Sequence, residues 1–233
     1  MQRYGELLAG HDTFVVPTLD EELTRDRVLA MSYEEGRPVE QLADQPQDVR
    51  DSVFAQLIEL VARELFEWGL MQTDPNFANY RYREADRKIV LLDFGATREV
   101  DRQVRQSYRT LLEAGLARDH AGVKQAALNA DFMSSTVVER HGEAVDRMID
   151  IILGEMAKDA PFDFGDRGFV PALRDEGMAI AQDKANWHIP PAETLFVQRK
   201  VSGTALLGAR IGAVVNIHAI VRDVLERTEK TST

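Results

Sequence analysis

Asp74 and Asn79 stand five residues apart, and an Asp93-Phe94-Gly95 triplet follows the apolar run Ile89-Val90-Leu91-Leu92. These are the residue types that phosphoryl transfer requires. That reaction uses Mg²⁺ to bridge phosphate oxygens, and Mg²⁺ takes hard oxygen ligands, here the Asn79 amide and the Asp93 carboxylate. The Asp74 carboxylate would orient or deprotonate the attacking hydroxyl or water. The cofactors expected are therefore ATP and Mg²⁺. Asp and Asn are also ordinary loop residues and helix caps, so the triplet by itself carries little weight. A second copy, Asp163-Phe164-Gly165, has no Asp-x4-Asn element before it and no apolar strand leading in, and reads as a turn.

Elements of a particular kind must position these groups. Tyr80-Arg81-Tyr82-Arg83 reads as a short strand, Glu84 to Arg87 as a polar turn and Ile89 to Leu92 as a buried strand. Such a hairpin folds Asp93 back beside Asn79, although the two are fourteen residues apart. Upstream, Gln47 to Leu70 is an amphipathic helix with Val49, Val53, Leu57, Val61, Leu65 and Trp68 on one stripe, ending at Gly69 and delivering Asp74 to the site. Before it, Phe14 to Pro17 and Arg27 to Met31 read as two strands around a polar turn, with Glu34 to Pro38 as a linker. After the hairpin, Glu99 to Leu116 reads as a helix with Val100, Val104, Tyr108, Leu111, Leu112 and Leu116 on its apolar face. Further helices are expected near 119–130, 136–158, 171–185, 191–210 and 213–228, with a Gly- and Asp-rich loop over Asp159 to Gly168, a boundary at Pro190-Pro191 and a disordered tail over Thr231 to Thr233. The fold class expected is α+β and predominantly helical.

At the chemically competent residues the chain resembles the UbiB atypical kinases, also called aarF-domain or ABC1-type kinases. The resemblance rests on Gln72-Thr73-Asp74-Pro75-Asn76-Phe77-Ala78-Asn79 and Leu92-Asp93-Phe94-Gly95-Ala96-Thr97-Arg98-Glu99. It is closest to the branch that supports ubiquinone biosynthesis in mitochondria and related bacteria. Phe14 to Leu42 resembles the family's segment entering the hinge between lobes, and Pro161 to Gly165 and Gln198-Arg199-Lys200 resemble its later helical region. The resemblance implies a kinase-like large lobe over 46–233, preceded over 1–45 by a strand remnant of the small lobe and the hinge. It gives Asp74 the catalytic-loop aspartate role, assigns Mg²⁺ to Asn79 and Asp93, and puts the backbone of Met31, Ser32 and Tyr33 against the adenine edge. Ser32 stands where close relatives usually have an acidic residue, and Phe77 where a Trp is common.

Two absences bear on mechanism. Protein kinases carry His-Arg before the catalytic Asp, the Arg reading a phosphate on an activation segment that ends in Ala-Pro-Glu. Here Gln72-Thr73 precede Asp74 and no Ala-Pro-Glu follows. The acceptor expected is thus a small molecule, a lipid or water rather than a protein. A kinase fold also needs a Gly- or Ala-rich loop over the phosphates and a strand Lys paired with a helix Glu. The lysines are Lys88, Lys124, Lys158, Lys184, Lys200 and Lys230, all downstream of the hinge-like segment, and the family's Lys-x-Gly-Gln element is missing. The expectation is a truncated form or an incomplete reading frame with little or no turnover of its own.

Composition sets the outer bounds. With 233 residues the chain can bury the core of one domain. It has no cysteine, which excludes disulfides and thiolate zinc sites and is compatible with a reducing compartment. His11, His120, His141, His188 and His218 form no i, i+4 pair with a catalytic Glu, so a metalloprotease has no support. A net charge of −11 argues against nucleic acid or an anionic membrane met by a broad basic face, although Arg98, Arg102 and Arg105 could contact phosphate or lipid head groups. The longest apolar run, Val201 to Val221, is interrupted by Arg210, Asn216 and His218, and reads as buried helix with a break near Gly212. The resemblance, not the charge pattern, implies partners in a quinone-biosynthesis complex and peripheral membrane contact. It places the protein in the cytoplasm, at the inner membrane of a bacterium or on the mitochondrial matrix side. Two alternatives remain open at this point: a nucleotide-binding scaffold without chemistry, and a helical interaction domain with no nucleotide.

Overall fold

Helix α2 (Gln47–Arg63) is the spine of the molecule, burying Val53, Phe54, Leu57, Leu60 and Ala62. The expected stripe is widened on both sides, because α7 (Ala192–Ile211) and α8 (Ile217–Thr231) both pack against α2. A π turn over Glu64–Trp68 extends α2, and Gly69 ends it with φ 60 and ψ 24. That left-handed conformation is one glycine adopts without Cβ strain. The structure is a computed structural model describing residues 1–183 and 190–231. Lys184, His188, the end of the helix expected over 171–185 and the last two residues of the tail lie outside them.

After α2 the chain runs through β3 (Leu70–Gln72) into the hairpin β4 (Tyr80–Arg83) and β5 (Lys88–Leu91), which pairs Tyr80 with Leu91 and Arg83 with Lys88. Alternation does the sorting: Tyr80 and Tyr82 are buried while Arg81 and Arg83 sit half-exposed on the other face. Two strands from the first part of the chain complete this sheet, giving the order β1-β5-β4-β2. β1 (Phe14–Val15) lies parallel to β5, and β2 (Arg37–Pro38) antiparallel to β4. A short helix, α1 (Gln2–Leu7), buries Tyr4. Tyr4, Leu8, Phe14, Val39 and Leu42 belong to the same core cluster as Phe54, Leu57, Ile89 and Leu207, so residues 1–45 share one core with the helices that follow.

The remaining elements are β6 (Thr97–Glu99), α3 (Arg102–Leu116), α4 (His120–Asn129), α5 (Ser135–Met156), β7 (Phe162–Asp163), α6 (Val170–Ala181) and β8 (Val214–Val215). The apolar face expected for α3 divides. Val104 and Tyr108 pack with Leu65, Met71 and Val197, whereas Leu111, Leu112 and Leu116 line an apolar cavity of about 340 Å³ with Ile149 and Val221. Gly212, with φ 62 and ψ 47, breaks the last apolar run between α7 and β8.

Several local expectations are corrected. Arg27 to Met31 is not a strand: only isolated bridges, Leu19 to Met31 and Arg25 to Val28, form there. The Thr24 hydroxyl donates to the Asp20 carbonyl at 2.6 Å and accepts the Ala30 amide at 3.1 Å, so side chains take over bonds that a ladder would use. The linker over Glu34 to Pro38 contains β2. The helix expected from Glu99 starts at Arg102, because Thr97–Glu99 is claimed by pairing with β3 and Asp101 caps the helix by accepting the Gln103 amide at 2.6 Å. Residues 214–215 form β8 against β7 before α8 begins. Helix α5 is kinked at His141, with φ −129 and ψ 26. No helix among the described residues is long and apolar enough to cross a membrane.

Candidate functional site

The site is assembled where β3 and β6 run antiparallel, Gln72 opposite Thr97. One residue beyond β3, Thr73 donates to the Ala96 carbonyl through both its amide, at 3.1 Å, and its hydroxyl, at 2.8 Å. Asp74 is thereby anchored to the segment that follows Asp93. Asn76 accepts the Ala78 amide at 3.1 Å and starts the 3-10 turn Phe77–Asn79. The turn returns Asn79 to Asp74, with the Asn79 amide nitrogen donating to an Asp74 carboxylate oxygen at 3.1 Å. The Leu92 amide donates to the Asn79 carbonyl at 3.0 Å, which extends the hairpin register and leaves Asp93 one residue beyond Asn79's partner. Of the three residues singled out from the sequence, Asp74 and Asn79 are bonded to each other, and Asp93 follows the residue that bonds the Asn79 carbonyl at the open end of the hairpin.

Their surroundings differ. Asn79 is 8% exposed, the Asp74 side chain is 31% exposed and Asp93 is exposed. The nitrogen of the Asn79 amide is committed to Asp74, which leaves its oxygen as the atom that could ligate a cation. One Asp93 oxygen accepts the Gly95 amide at 2.8 Å. The same turn recurs at Asp163 to Gly165, at 2.7 Å, and at Asp166 to Gly168, at 2.8 Å. The turn of the triplet is thus a local habit of Asp-x-Gly; what distinguishes Asp93 is the strand pairing that sets it beside Asn79. Phe164 of the second copy is instead buried, 4.6 Å from the Phe54 ring.

Charge gathers around Asp74. The Arg199 guanidinium lies 3.7 Å from its other oxygen. Arg98 stacks on Phe196 at 4.2 Å, in a cleft of about 290 Å³ that Thr73 and Glu193 also line. Arg105 lies over Gly69, where an added Cβ would come within 2.8 Å of it. Met31, Ser32 and Tyr33 belong to the irregular segment before β2, where Met31 bridges to Leu19. Ser32 bonds to Thr18 and Glu34 on its own hairpin, and Tyr33 is 85% exposed.

Beneath the loop lies a buried polar group that periodicity and motif spacing do not reveal. Lys200 of α7 and Glu64 of the π turn are 2% and 1% exposed and lie 3.6 Å apart. Lys200 donates to the Tyr80 hydroxyl at 2.5 Å and the Gln72 side-chain oxygen at 3.3 Å, while Glu64 accepts the Tyr4 hydroxyl at 2.7 Å. Burial pushes the Glu64 carboxyl up, an effect the Lys200 ammonium and the Tyr4 hydroxyl only partly offset. Burial alone would pull Lys200 down, but Glu64 and Tyr80 outweigh it and leave the ammonium above the ordinary lysine value. The signals available were a Glu on the apolar stripe of α2 and the family-like Gln198-Arg199-Lys200; nothing in the sequence paired the two.

The donor set decides which cation could fit. Among the described residues no cluster of three or more His, Asp or Glu side chains could hold a metal by itself. An Asn oxygen and a carboxylate suit Mg²⁺ that draws its other ligands from phosphate and water.

By its fold the chain is a mostly helical, kinase-like domain with a few strands. The solved Rv3197–erythromycin complex from Mycobacterium tuberculosis shares the fold with a TM-score of 0.70 over 96% of this chain and 55% of that one, at 16% identity. Residues 1–127 match the ABC1 atypical kinase-like domain, and the chain belongs to that family. It is 35% identical to rat "Atypical kinase COQ8B, mitochondrial" over 97% of this chain and 42% of the relative. It is 29% identical to "Atypical kinase COQ8, mitochondrial" of Saccharomyces cerevisiae over 96% of this chain and 45% of the relative. The chain thus spans less than half the length of these curated relatives.

Proposed function

We propose that this chain is the Mg-ATP-binding large lobe of a UbiB-type atypical kinase or ATPase that serves isoprenoid-quinone (ubiquinone) biosynthesis. Residues 46–233 are the large lobe; residues 1–45 are the hinge and a strand remnant of the small lobe. The observation that carries this is the open end of the hairpin: Asn79 is bonded to Asp74, and Asp93 follows Leu92, whose amide donates to the Asn79 carbonyl. Mg-ATP bound there supplies the phosphoryl group. The Asn79 amide oxygen and the Asp93 carboxylate hold the cation, and Asp74 orients the acceptor hydroxyl or water and takes its proton. The backbone of Met31 to Tyr33 meets the adenine edge, as family membership suggests.

Exposure supports the lobe division. Leu23, Val28, Leu29 and Tyr33 are all more than half exposed on one irregular hairpin. That is more apolar surface than isolated surface residues account for, and it fits a hinge covered by a small lobe. The phosphate-covering loop and the strand Lys that a kinase small lobe supplies are not found among these 233 residues. The acceptor is a small molecule, a lipid or water. The partners are those of a quinone-biosynthesis complex, met with peripheral membrane contact at a bacterial inner membrane or on the mitochondrial matrix side.

A form extended upstream to include the phosphate-covering lobe tests this directly. Asp74→Asn should lower ATP turnover by roughly 10²- to 10⁴-fold while Mg-ATP still binds, since proton transfer but no cation ligand is lost. A second role, a scaffold that signals occupancy without chemistry, draws support from Arg199, whose guanidinium already occupies one side of Asp74. Quinone synthesis that survives Asp74→Asn in a complementation assay would favour the scaffold. A parent that binds no Mg-ATP at all would leave only a helical interaction domain.

A further inference from the structure

Gln72 lies two residues before Asp74 and Tyr80 one residue after Asn79, and both side chains converge on one buried ammonium. Lys200 reaches the Tyr80 hydroxyl at 2.5 Å and the Gln72 side-chain oxygen at 3.3 Å, across 120 and 128 residues of sequence. Glu64, 3.6 Å from Lys200, binds the same segment by its backbone, accepting the Gln72 amide at 3.4 Å. Helix α7 also meets the middle of the loop: a Cβ at Gly203 would lie 2.1 Å from the Pro75 side chain. The loop carrying Asp74 and Asn79 is therefore held at both ends by one ion pair and in the middle by the same helix.

An ion pair this deeply buried is a poor device for stability. Desolvating two charges consumes much of their attraction, and replacing such pairs by packed apolar side chains is often neutral or stabilising. What the pair does offer is geometry, since a charge with three fixed partners tolerates few arrangements. Its acidic member also lies in a π turn, a distortion of the helical ladder that tends to occur at functional sites.

We infer that Lys200, held by Glu64, is a positioning residue: it fixes the two ends of the 72–80 segment so that Asn79 keeps its bond to Asp74 and its amide oxygen its place beside Asp93. Lys200 touches neither cation nor nucleotide. The inference rests on the assignment of Asn79 and Asp93 as cation ligands.

Electron paramagnetic resonance of Mn²⁺, titrated in the presence of ATP, reads that site directly. The double variant Glu64→Leu/Lys200→Met removes both charges and keeps the volume filled. It should melt at or above the temperature of the parent, yet bind Mn²⁺ about 10- to 100-fold more weakly, as when outer-shell partners of metal ligands are removed. Tyr80→Phe, which deletes one hydroxyl and keeps the ring in the core, should stay folded but melt below the parent, because a buried ammonium loses one of its three partners, and it should weaken Mn²⁺ in the same direction. Parent-like Mn²⁺ affinity in Tyr80→Phe and in a folded double variant would overturn the positioning role. A parent that binds no Mn²⁺ with ATP would fail at the earlier step, removing the ligand assignment and the positioning role with it.

Discussion

An ammonium 2% exposed is stable only because of its neighbours, and Lys200 has three: Glu64, Tyr80 and Gln72. Removing one member of such a pair is far worse than removing both, because the survivor is left charged and unpaired in a low dielectric. Lys200→Met alone should therefore destabilise the fold by about 3–5 kcal/mol in urea denaturation, against little or no loss for the double replacement with Glu64→Leu. Equal losses in the two variants would mean that packing, not charge, is what matters there. The same residue-scale logic separates the two Asp-Phe-Gly triplets. Their Asx turns are alike, at 2.8 and 2.7 Å, so identity of sequence gave identity of local structure and nothing more. Asn79, at the end of the 3-10 turn that leads into β4, is what makes one of them a candidate ligand.

Helix α7 acts as an element with a fitted face. Gly203 admits Pro75, and Gly208 admits the Phe54 ring, whose nearest atom would be 2.3 Å from an added Cβ. Phe54 is fully buried and cannot withdraw. Gly208→Ala should cost about 1–3 kcal/mol by overpacking, measurable as a lowered urea midpoint at unchanged slope. A parent-like midpoint would show that α7 can slide along α2. The hairpin β4–β5 is likewise fitted at the scale of an element. Its turn places Arg87 at φ 58, and its register of Tyr80 to Leu91 is what carries Asp93 back to Asn79. A one-residue slip would reverse every side chain and bury the arginines, so the alternation that forms the core also fixes the site.

At the scale of the molecule, strands from the first 45 residues join a sheet whose centre lies near residue 90, so the hinge-like segment and the site hairpin unfold together. Buried titratable groups make that cooperation sensitive to alkali. Burial raises Tyr4, Tyr80 and Tyr108, and Lys200 is raised by Glu64 and Tyr80 against its own desolvation. Each holds its proton more tightly folded than unfolded, so each contributes stability that is complete below the unfolded values, about 10 for Tyr and Lys, and is lost as pH climbs through the folded ones. The urea midpoint should therefore fall from about pH 10 upward, and a midpoint that held or rose there would contradict the burial of these hydroxyls. The sequence by itself determined the helix that ends at Gly69 and the hairpin after Asn79, and it singled out Asp74, Asn79 and Asp93 as candidates. Those features are written in helical period, strand alternation and turn residues within a few tens of positions. Only the tertiary structure decided that Phe14 runs parallel to Ile89, that Arg27 to Met31 forms isolated bridges and no strand, and that Tyr4, Glu64 and Lys200 meet beneath the loop. Such pairings join residues far apart in the chain, each of which also suits a solvated surface or a lone helix, so no local pattern distinguishes them until the core closes around them.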